Sequence, residues 1–329
     1  MHVFFISPKW MRNDPTLKEA VGIEKSYLES GLGTSYVFNP DGYYYEHKKD
    51  WNFALIEKVI EERPNAIFFS WINSQYNPPI EVFSIFHKMG IPVICWWWDF
   101  MFIGSREIAK YLSPFIHTHL MIDTPLPFTD DVRKEKYRPI WPQTLDYLYF
   151  KGKSKRQIPV SFPGGSIEGG NVGPRAEYIE FLKKNGVDLF VGGTRWEETT
   201  MQYADNLRRT KLVLNISPKI QYGVAGKKEM EDAYLIKGRA FEAISCGAAL
   251  LEPANSFLSF YFKPDVDYIT YDGEQGLLDK INYYLAHEKE RAKIAESGYQ
   301  KMKREYNSNT YWNTVINLFR PVNNNESVH

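Results

Sequence analysis

The sequence predicts an α/β protein made of two parallel-sheet units, and three observations carry that prediction. Short apolar runs alternate with amphipathic helical patterns along most of the chain, the rhythm that βαβ crossovers impose. That rhythm is interrupted once, by a polar, basic stretch near residues 142–158, and then begins again. The 329 residues suffice for two ordinary domains.

In the first half, Val-Phe-Phe-Ile at 3–6 opens as a strand, and residues 16–29 read as a helix closed by Gly31. A strand at 35–38 precedes the amphipathic helix 51–62, whose apolar positions are Phe53, Leu55, Ile56, Val59 and Ile60. Strand 66–70, helix 80–88 capped by Gly90, and strand 92–97 follow, with further strands at 119–122 and 138–140. In the second half, strand 158–162 leads into a glycine-rich loop at 163–174. Helix 176–185 ends on Gly186, a residue free to take the left-handed closing position. Strand 187–191, helix 203–210, strand 212–216, a short helix after residue 237, and strands 248–251 and 268–271 come next. Helices at 276–287, 288–305 and 310–319 complete the chain. The expected division is 1–150, 151–306, and a helix with tail at 307–329. This describes two Rossmann-like domains whose strands present their carboxyl ends to a shared cleft.

Bulk composition narrows the class. Forty basic and forty acidic residues give zero net charge, so no global field attracts nucleic acid or an anionic membrane. Only Lys151-Gly-Lys-Ser-Lys-Arg156 forms a local basic patch. The two cysteines, Cys95 and Cys246, lie far apart in apolar runs and read as buried free thiols of a reducing compartment. The start lacks a basic region and a signal-like apolar stretch, and no apolar run approaches the roughly 20 residues of a membrane span. A cytoplasmic location is expected.

The most informative stretch is Lys237-Gly-Arg-Ala-Phe-Glu-Ala-Ile-Ser-Cys-Gly-Ala-Ala-Leu-Leu-Glu252. One glycine opens a helix, a second closes it, and an apolar strand follows. Unpaired N–H groups at a helix start carry partial positive charge. Gly238 lets a phosphate approach the backbone, while Lys237 and Arg239 add full charges, the latter able to bind phosphate bidentately. Glu242, about one turn in, is placed to accept from two ribose hydroxyls. The plainer alternative is an ordinary helix whose Glu242 complements the macrodipole.

The same residues resemble the nucleotide-sugar motif of GT-B glycosyltransferases. They are most similar to the spore-maturation-protein (CgeB-like) group, through the pattern Lys-x-Arg-x-Phe-Glu-x-x-x-Cys-Gly. The resemblance continues through Phe257-Leu-Ser-Phe-Tyr-Phe-Lys-Pro-Asp265, Tyr268-Ile-Thr-Tyr-Asp272, Leu277-Leu-Asp-Lys-Ile281 and Ile294-Ala-Glu-Ser-Gly298, and upstream through Tyr203–Ser217. It covers residues 158–306; the first half is similar in architecture. It implies retaining, metal-independent transfer of a sugar from a nucleoside-diphosphate sugar to a hydroxyl of a glycan, lipid-linked or protein acceptor. No cofactor is implied. Lys237, Arg239 and Asp99 would do the catalytic work, and Glu242 would hold the donor ribose. The related Glu-x7-Glu pattern places its first carboxylate at Tyr234, where this chain has a phenol. The last helix would cross back to the first domain. Two rivals are a non-catalytic nucleotide-sugar-binding or surface-assembly protein, favoured by Tyr234, and a nucleic-acid glucosyltransferase. Zero net charge argues against the second, and segment 151–156 keeps it open.

Further candidates lie at strand ends. Gly164 and Gly165 permit close backbone approach, and Arg175 follows at a helix start. Gly192 and Gly193 end a strand and, with Arg195, would lie near the base. Tyr234 and Phe241 flank the donor motif. In the first half, Cys95-Trp-Trp-Trp-Asp-Phe100 ends a strand, so Trp98 is expected to stack on an acceptor sugar, and Lys9 of the first turn is a further acceptor-side candidate. Core packing is the plain alternative for these tryptophans, and for the high aromatic content of 16%. Asp130-Asp131 reads as a solvated pair, and His117 and His119 have no evident ligand partners; no metal site is expected.

Overall fold

The computed structural model describes residues 1–7, 20–71, 76–97, 103–122, 136–142, 154–164, 174–192, 200–217, 219–223 and 230–319. The first half builds a six-stranded parallel sheet from β1 (His2–Ile6), β2 (Thr34–Phe38), β3 (Ala66–Trp71), β4 (Val93–Trp97), β5 (Thr118–Met121) and β6 (Tyr137–Pro139), in the order β2-β1-β3-β4-β5-β6. Its strands are runs such as Val3-Phe4-Phe5-Ile6, buried throughout, because a parallel sheet is covered on both faces. Between them run α1 (Ala20–Glu29), α2 (Pro40–His47), α3 (Asn52–Glu62), α4 (Ile80–Lys88) and α5 (Ile103–Leu112).

The second half forms another parallel sheet. Its chain order is β7 (Ile158–Pro163), α6 (Pro174–Lys184), β8 (Leu189–Gly192), α7 (Thr200–Arg209) and β9 (Thr210–Leu214). An antiparallel hairpin of β10 (Lys219–Gly223) and β11 (Met230–Tyr234) follows, then α8 (Gly238–Ser245), β12 (Ala249–Pro253) and β13 (Ile269–Tyr271). The sheet order is β13-β12-β9-β7-β8. Helices α9 (Gly273–Ala286), α10 (Glu288–Glu305) and α11 (Ser308–Asn317) close the described chain. Two parallel α/β sheets in this arrangement are the GT-B architecture.

The last helix packs against the first sheet. Trp312 is 1% exposed and lies edge-on to Phe5, Tyr27 and Phe68 at ring separations of 5.7, 5.1 and 5.4 Å. Its Nε1 donates to Ser26 Oγ at 2.9 Å. Tyr311 meets Trp96 at 6.3 Å and Trp141 at 6.2 Å, so one apolar cluster runs from β1 and β3 through α11 to Phe241 of α8.

Several expectations need correction. Phe53 and Ile60 of α3 are 75% and 54% exposed; Leu55 and Val59 alone of that stripe are fully buried, with Ala54 and Ile56 packed at its edge. Helix α2 was absent from the sequence reading, as was the β10–β11 hairpin. Strand β8 runs to Gly192 and α9 begins at Gly273, while residues 16–19 of the first expected helix lie outside the described residues. Among the described residues, no helix is long and apolar enough to cross a membrane.

Candidate active site

Strand order locates the ligand crevice. In the second sheet the chain steps from β7 outward to β8 and then returns to β9 on the other side of β7. The loops leaving β7 and β9 therefore diverge, and such a switch point opens a crevice at the strand carboxyl ends. Pro163 and Gly164 close β7, and Asn215 to Ser217 follow β9. The first sheet has the same reversal between β1 and β3, where Ser7 carries a buried hydroxyl without a partner and Trp71 stacks on Trp97 at 5.0 Å.

Helix α8 supplies the site's positive pole. Lys237 is its extended N-cap, and the Lys237 side chain makes no capping bond to the helix start. Gly238 occupies the first turn, where an added Cβ would meet nothing nearer than Glu242 Oε1 at 3.9 Å. The first N–H groups of any helix lack intrahelical partners and favour an anion.

Arg239 is held by its surroundings, with one end left over. Its guanidinium lies 4.9 Å from the Phe162 ring centre, a cation–π contact. Nη1 is buried and has no hydrogen-bond partner. Burial lowers the Arg239 pKa, and the charge of Arg175 acts in the same direction. A Cβ on Gly164 would meet the Phe162 ring at 2.6 Å and Arg239 Nη1 at 2.9 Å, so this buried glycine makes room for the guanidinium. A buried, unpaired cationic donor is costly, and an anionic ligand is the partner that would satisfy it.

Glu242 is oriented by a residue that sequence reasoning missed. Tyr203 of α7, 7% exposed, donates its hydroxyl to Glu242 Oε2 at 2.6 Å. Burial first, and then the Glu242 charge, push the Tyr203 phenol well above its usual range, so it stays a donor. A second carboxyl, Glu252, stands at the end of β12 with no exposed surface. Its Oε2 accepts from Asn215 Nδ2 and its Oε1 from Ser256 Oγ, each at 2.7 Å. Burial raises its pKa to about 7, against the lowering effect of Asn215, Ser256 and Arg239. Ser256 forms a bridge with Tyr234, whose N–H donates to Asn255 O at 3.2 Å. The signal available for Glu252 was a carboxylate inside an otherwise apolar strand.

The structure sets Gly164 against Arg239 and Gly238 against Glu242, pairs Tyr234 with Ser256, and lets the charge of Arg175 act on Arg239. Gly192 ends the edge strand β8. Phe241, expected at the donor, is instead core: it is 1% exposed and packs on Tyr261, Phe262 and Tyr306. Lys9, Trp98, Asp99, Gly165, Gly193 and Arg195 lie outside the described residues, as do Asp130 and Asp131. Trp96 and Trp97 are buried core, and both cysteines are buried free thiols. Arg156 of the basic patch is structural: its Nη1 donates to the Leu207 and Thr210 carbonyls and its Nη2 to that of Cys246. His119 is locked between Trp97 Nε1 at 3.0 Å and Ser113 Oγ at 3.1 Å. Among the described residues no cluster of three or more His, Cys, Asp or Glu is arranged to hold a metal ion.

Comparison with known proteins gives this geometry a family context. Residues 175–317 match the family described as "Glycosyl transferase-like". No curated protein matches the sequence. Among solved structures the chain is similar to Alr3699/HepE from Anabaena in complex with UDP and glucose, with 12% identity, TM-score 0.59, and coverage of 96% of this chain and 99% of that one. A glycosyltransferase from Rickettsia africae aligns with 8% identity and TM-score 0.62 over 99% of both chains. Sucrose-phosphate synthase from Thermosynechococcus elongatus aligns with 11% identity and TM-score 0.58 over 97% of this chain and 99% of that one. Residues 175–317 are thus similar to a glycosyltransferase domain, and the chain shares the GT-B fold of these structures.

Proposed function

We propose that this glycosyltransferase moves a sugar from a nucleoside-diphosphate sugar to an acceptor hydroxyl, with the donor on the second sheet and the acceptor on the first. The observation that carries the reading is Arg239 Nη1, a buried cationic donor with no partner, at a switch-point crevice in the first turn of α8. In the reaction the bond from the anomeric carbon to the diphosphate breaks, and the acceptor oxygen forms the new bond as its proton leaves. Negative charge develops on the departing diphosphate. Arg239, Arg175, Lys237 and the start of α8 supply fixed positive potential there. Glu242, aligned by Tyr203, receives the ribose hydroxyls. Retaining transfer without a metal is part of this proposal, and the likeness of the Lys-x-Arg-x-Phe-Glu-x-x-x-Cys-Gly signature to that of the CgeB-like group supports it.

The test is nucleoside-diphosphate release from a panel of UDP-, GDP- and ADP-sugars in the presence of EDTA, with the product anomer read by NMR. Release from one donor is expected, and Glu242→Ala should weaken that donor's binding by about tenfold to a hundredfold, the worth of a charged hydrogen bond. Unchanged nucleotide binding in Glu242→Ala would remove the ribose assignment. Tyr234 favours one second reading, a binding module without catalysis, because a phenol replaces a carboxylate beside the sugar. Tight donor binding with no release or transfer from any donor would select it.

A further inference from the structure

Three consecutive tyrosines follow the second strand, and none has a role in the reading above. Helix α2 carries Tyr43, Tyr44 and Tyr45 in the run Pro-Asp-Gly-Tyr-Tyr-Tyr-Glu-His. Tyr43 turns inward, stacking on Phe38 at 5.9 Å and meeting His47 at 4.3 Å. Tyr44 and Tyr45 stay outside, 40% and 48% exposed. Both meet Tyr76, which follows β3, at ring separations of 6.1 and 6.4 Å, and each other at 5.9 Å. The sheet order β2-β1-β3 places the end of β1 between the two segments that bring these rings together. The cluster therefore spans the carboxyl-end edge of the first sheet, where a switch-point crevice opens. Lys48 closes α2 at φ 52°, a left-handed conformation that costs a lysine energy. Its Nζ lies 4.9 Å from the Tyr45 ring centre and 5.7 Å from that of Tyr44, so the strained residue is a cation–π clamp on the two outer rings.

We propose that Tyr44, Tyr45 and Tyr76 form a platform, held in shape by Lys48, that binds a sugar of an oligosaccharide acceptor away from its reacting hydroxyl. The chemistry of the surface selects this ligand. A phenol offers an apolar face to the C–H side of a pyranose and a hydroxyl to its rim. No aliphatic side chain stands in α2, and Tyr76 is followed by Asn77, Pro78 and Pro79. A lipid chain would want a continuous aliphatic patch in place of these polar neighbours. The rings are inclined to one another by 46–73°, so no two of them form the parallel walls that would sandwich a planar base. Position makes the subsite a remote one. Strand β2 is an edge strand, and Tyr43 packs with the core of α3 and α4. The apolar cluster that reaches α8 uses the alternate residues of β1 and β3, on the other face of the sheet. A sugar on the platform therefore stands apart from the unit that meets the donor, and the acceptor has to be longer than one sugar to reach both.

This inference rests on the proposed reading of the first sheet as the acceptor side. The test exposes the full chain to an array of immobilised mono-, di- and longer oligosaccharides, with calorimetric binding of UDP-, GDP- and ADP-sugars as the control. The wild type is expected to bind longer oligosaccharides of one kind and not the monosaccharides. Tyr45→Ala should weaken that binding by about threefold to tenfold, the worth of one aromatic stack, and the double variant Tyr44→Ala/Tyr45→Ala should abolish it, with donor affinity unchanged in both. Lys48→Gly separates binding from folding. Glycine enters the left-handed conformation freely, so the melting temperature should hold or rise while glycan affinity falls. A wild type that binds a nucleotide sugar but no glycan, or glycan binding that survives in the double variant, overturns the inference and leaves the donor site standing. So does retention on phosphatidylcholine–phosphatidylglycerol vesicles, in place of glycan binding, that is lost with the same two tyrosines. A wild type that binds neither glycan nor nucleotide sugar overturns both.

Discussion

A single methyl group separates a structural from a ligand-binding role at Gly238. In the free protein a Cβ there meets nothing closer than 3.9 Å, so Gly238→Ala should fold normally and gain up to about 1 kcal/mol from the stiffer unfolded chain. The same methyl would stand where a phosphate closes on the helix start. Donor affinity should fall at least about tenfold while the melting temperature holds or rises. Equal affinity in the two proteins would detach the diphosphate from α8. Glu252 makes a separate prediction about stability. Its pKa is raised from 4.5 to about 7 on folding, so the native state binds the extra proton between those values. Stability from this group is complete below about pH 4.5 and is lost as pH rises through 7, by on the order of 3 kcal/mol as an upper figure. In Glu252→Gln that loss should vanish, since a glutamine amide binds no proton in this range. Urea denaturation at about pH 4.5 and pH 8 measures it, and an equal pH slope in both proteins would contradict it.

Among the elements, the parallel strands were the most legible, because burial on both faces writes them as continuous apolar runs such as Ala66 to Phe69. Helix α8 was legible for a local reason too: its glycines and cations adjoin in sequence. Helix α2 escaped notice because Pro40, Gly42 and three successive tyrosines give no apolar stripe and weak propensity. Hairpin β10–β11 escaped because Met-Glu-Asp-Ala-Tyr at 230–234 is charged and lacks clean alternation. The finer site was invisible for a different reason. Tyr203 lies 39 residues from Glu242, and Asn215 lies 37 from Glu252, so only the sheet order brings them together. Helix α11 shows how an element's face sets stability. Trp312→Ala should cost about 3–5 kcal/mol, since it empties a buried site lined by three rings and orphans Ser26 Oγ. Tyr311→Phe should be neutral or stabilising, because its buried hydroxyl has no partner to lose. Chemical denaturation of the two variants orders them; a Tyr311→Phe loss as large as that of Trp312→Ala would show a missed bond.

At the scale of the whole molecule, two parallel sheets each open a switch-point edge, and a last helix from the second half is keyed into the first. The second edge holds the buried, unpartnered Arg239 Nη1, the start of α8, and a carboxylate aligned by a phenol. The first holds a buried serine hydroxyl and a tryptophan stack. The most direct measurement is a crystal structure of the protein with an intact nucleotide sugar from the donor panel. Diphosphate oxygens about 3 Å from Arg239 Nη1 and from the first N–H groups of α8, with ribose hydroxyls on Glu242, are the predicted result. A nucleotide bound away from that edge, leaving Arg239 Nη1 and Glu242 untouched, would contradict it.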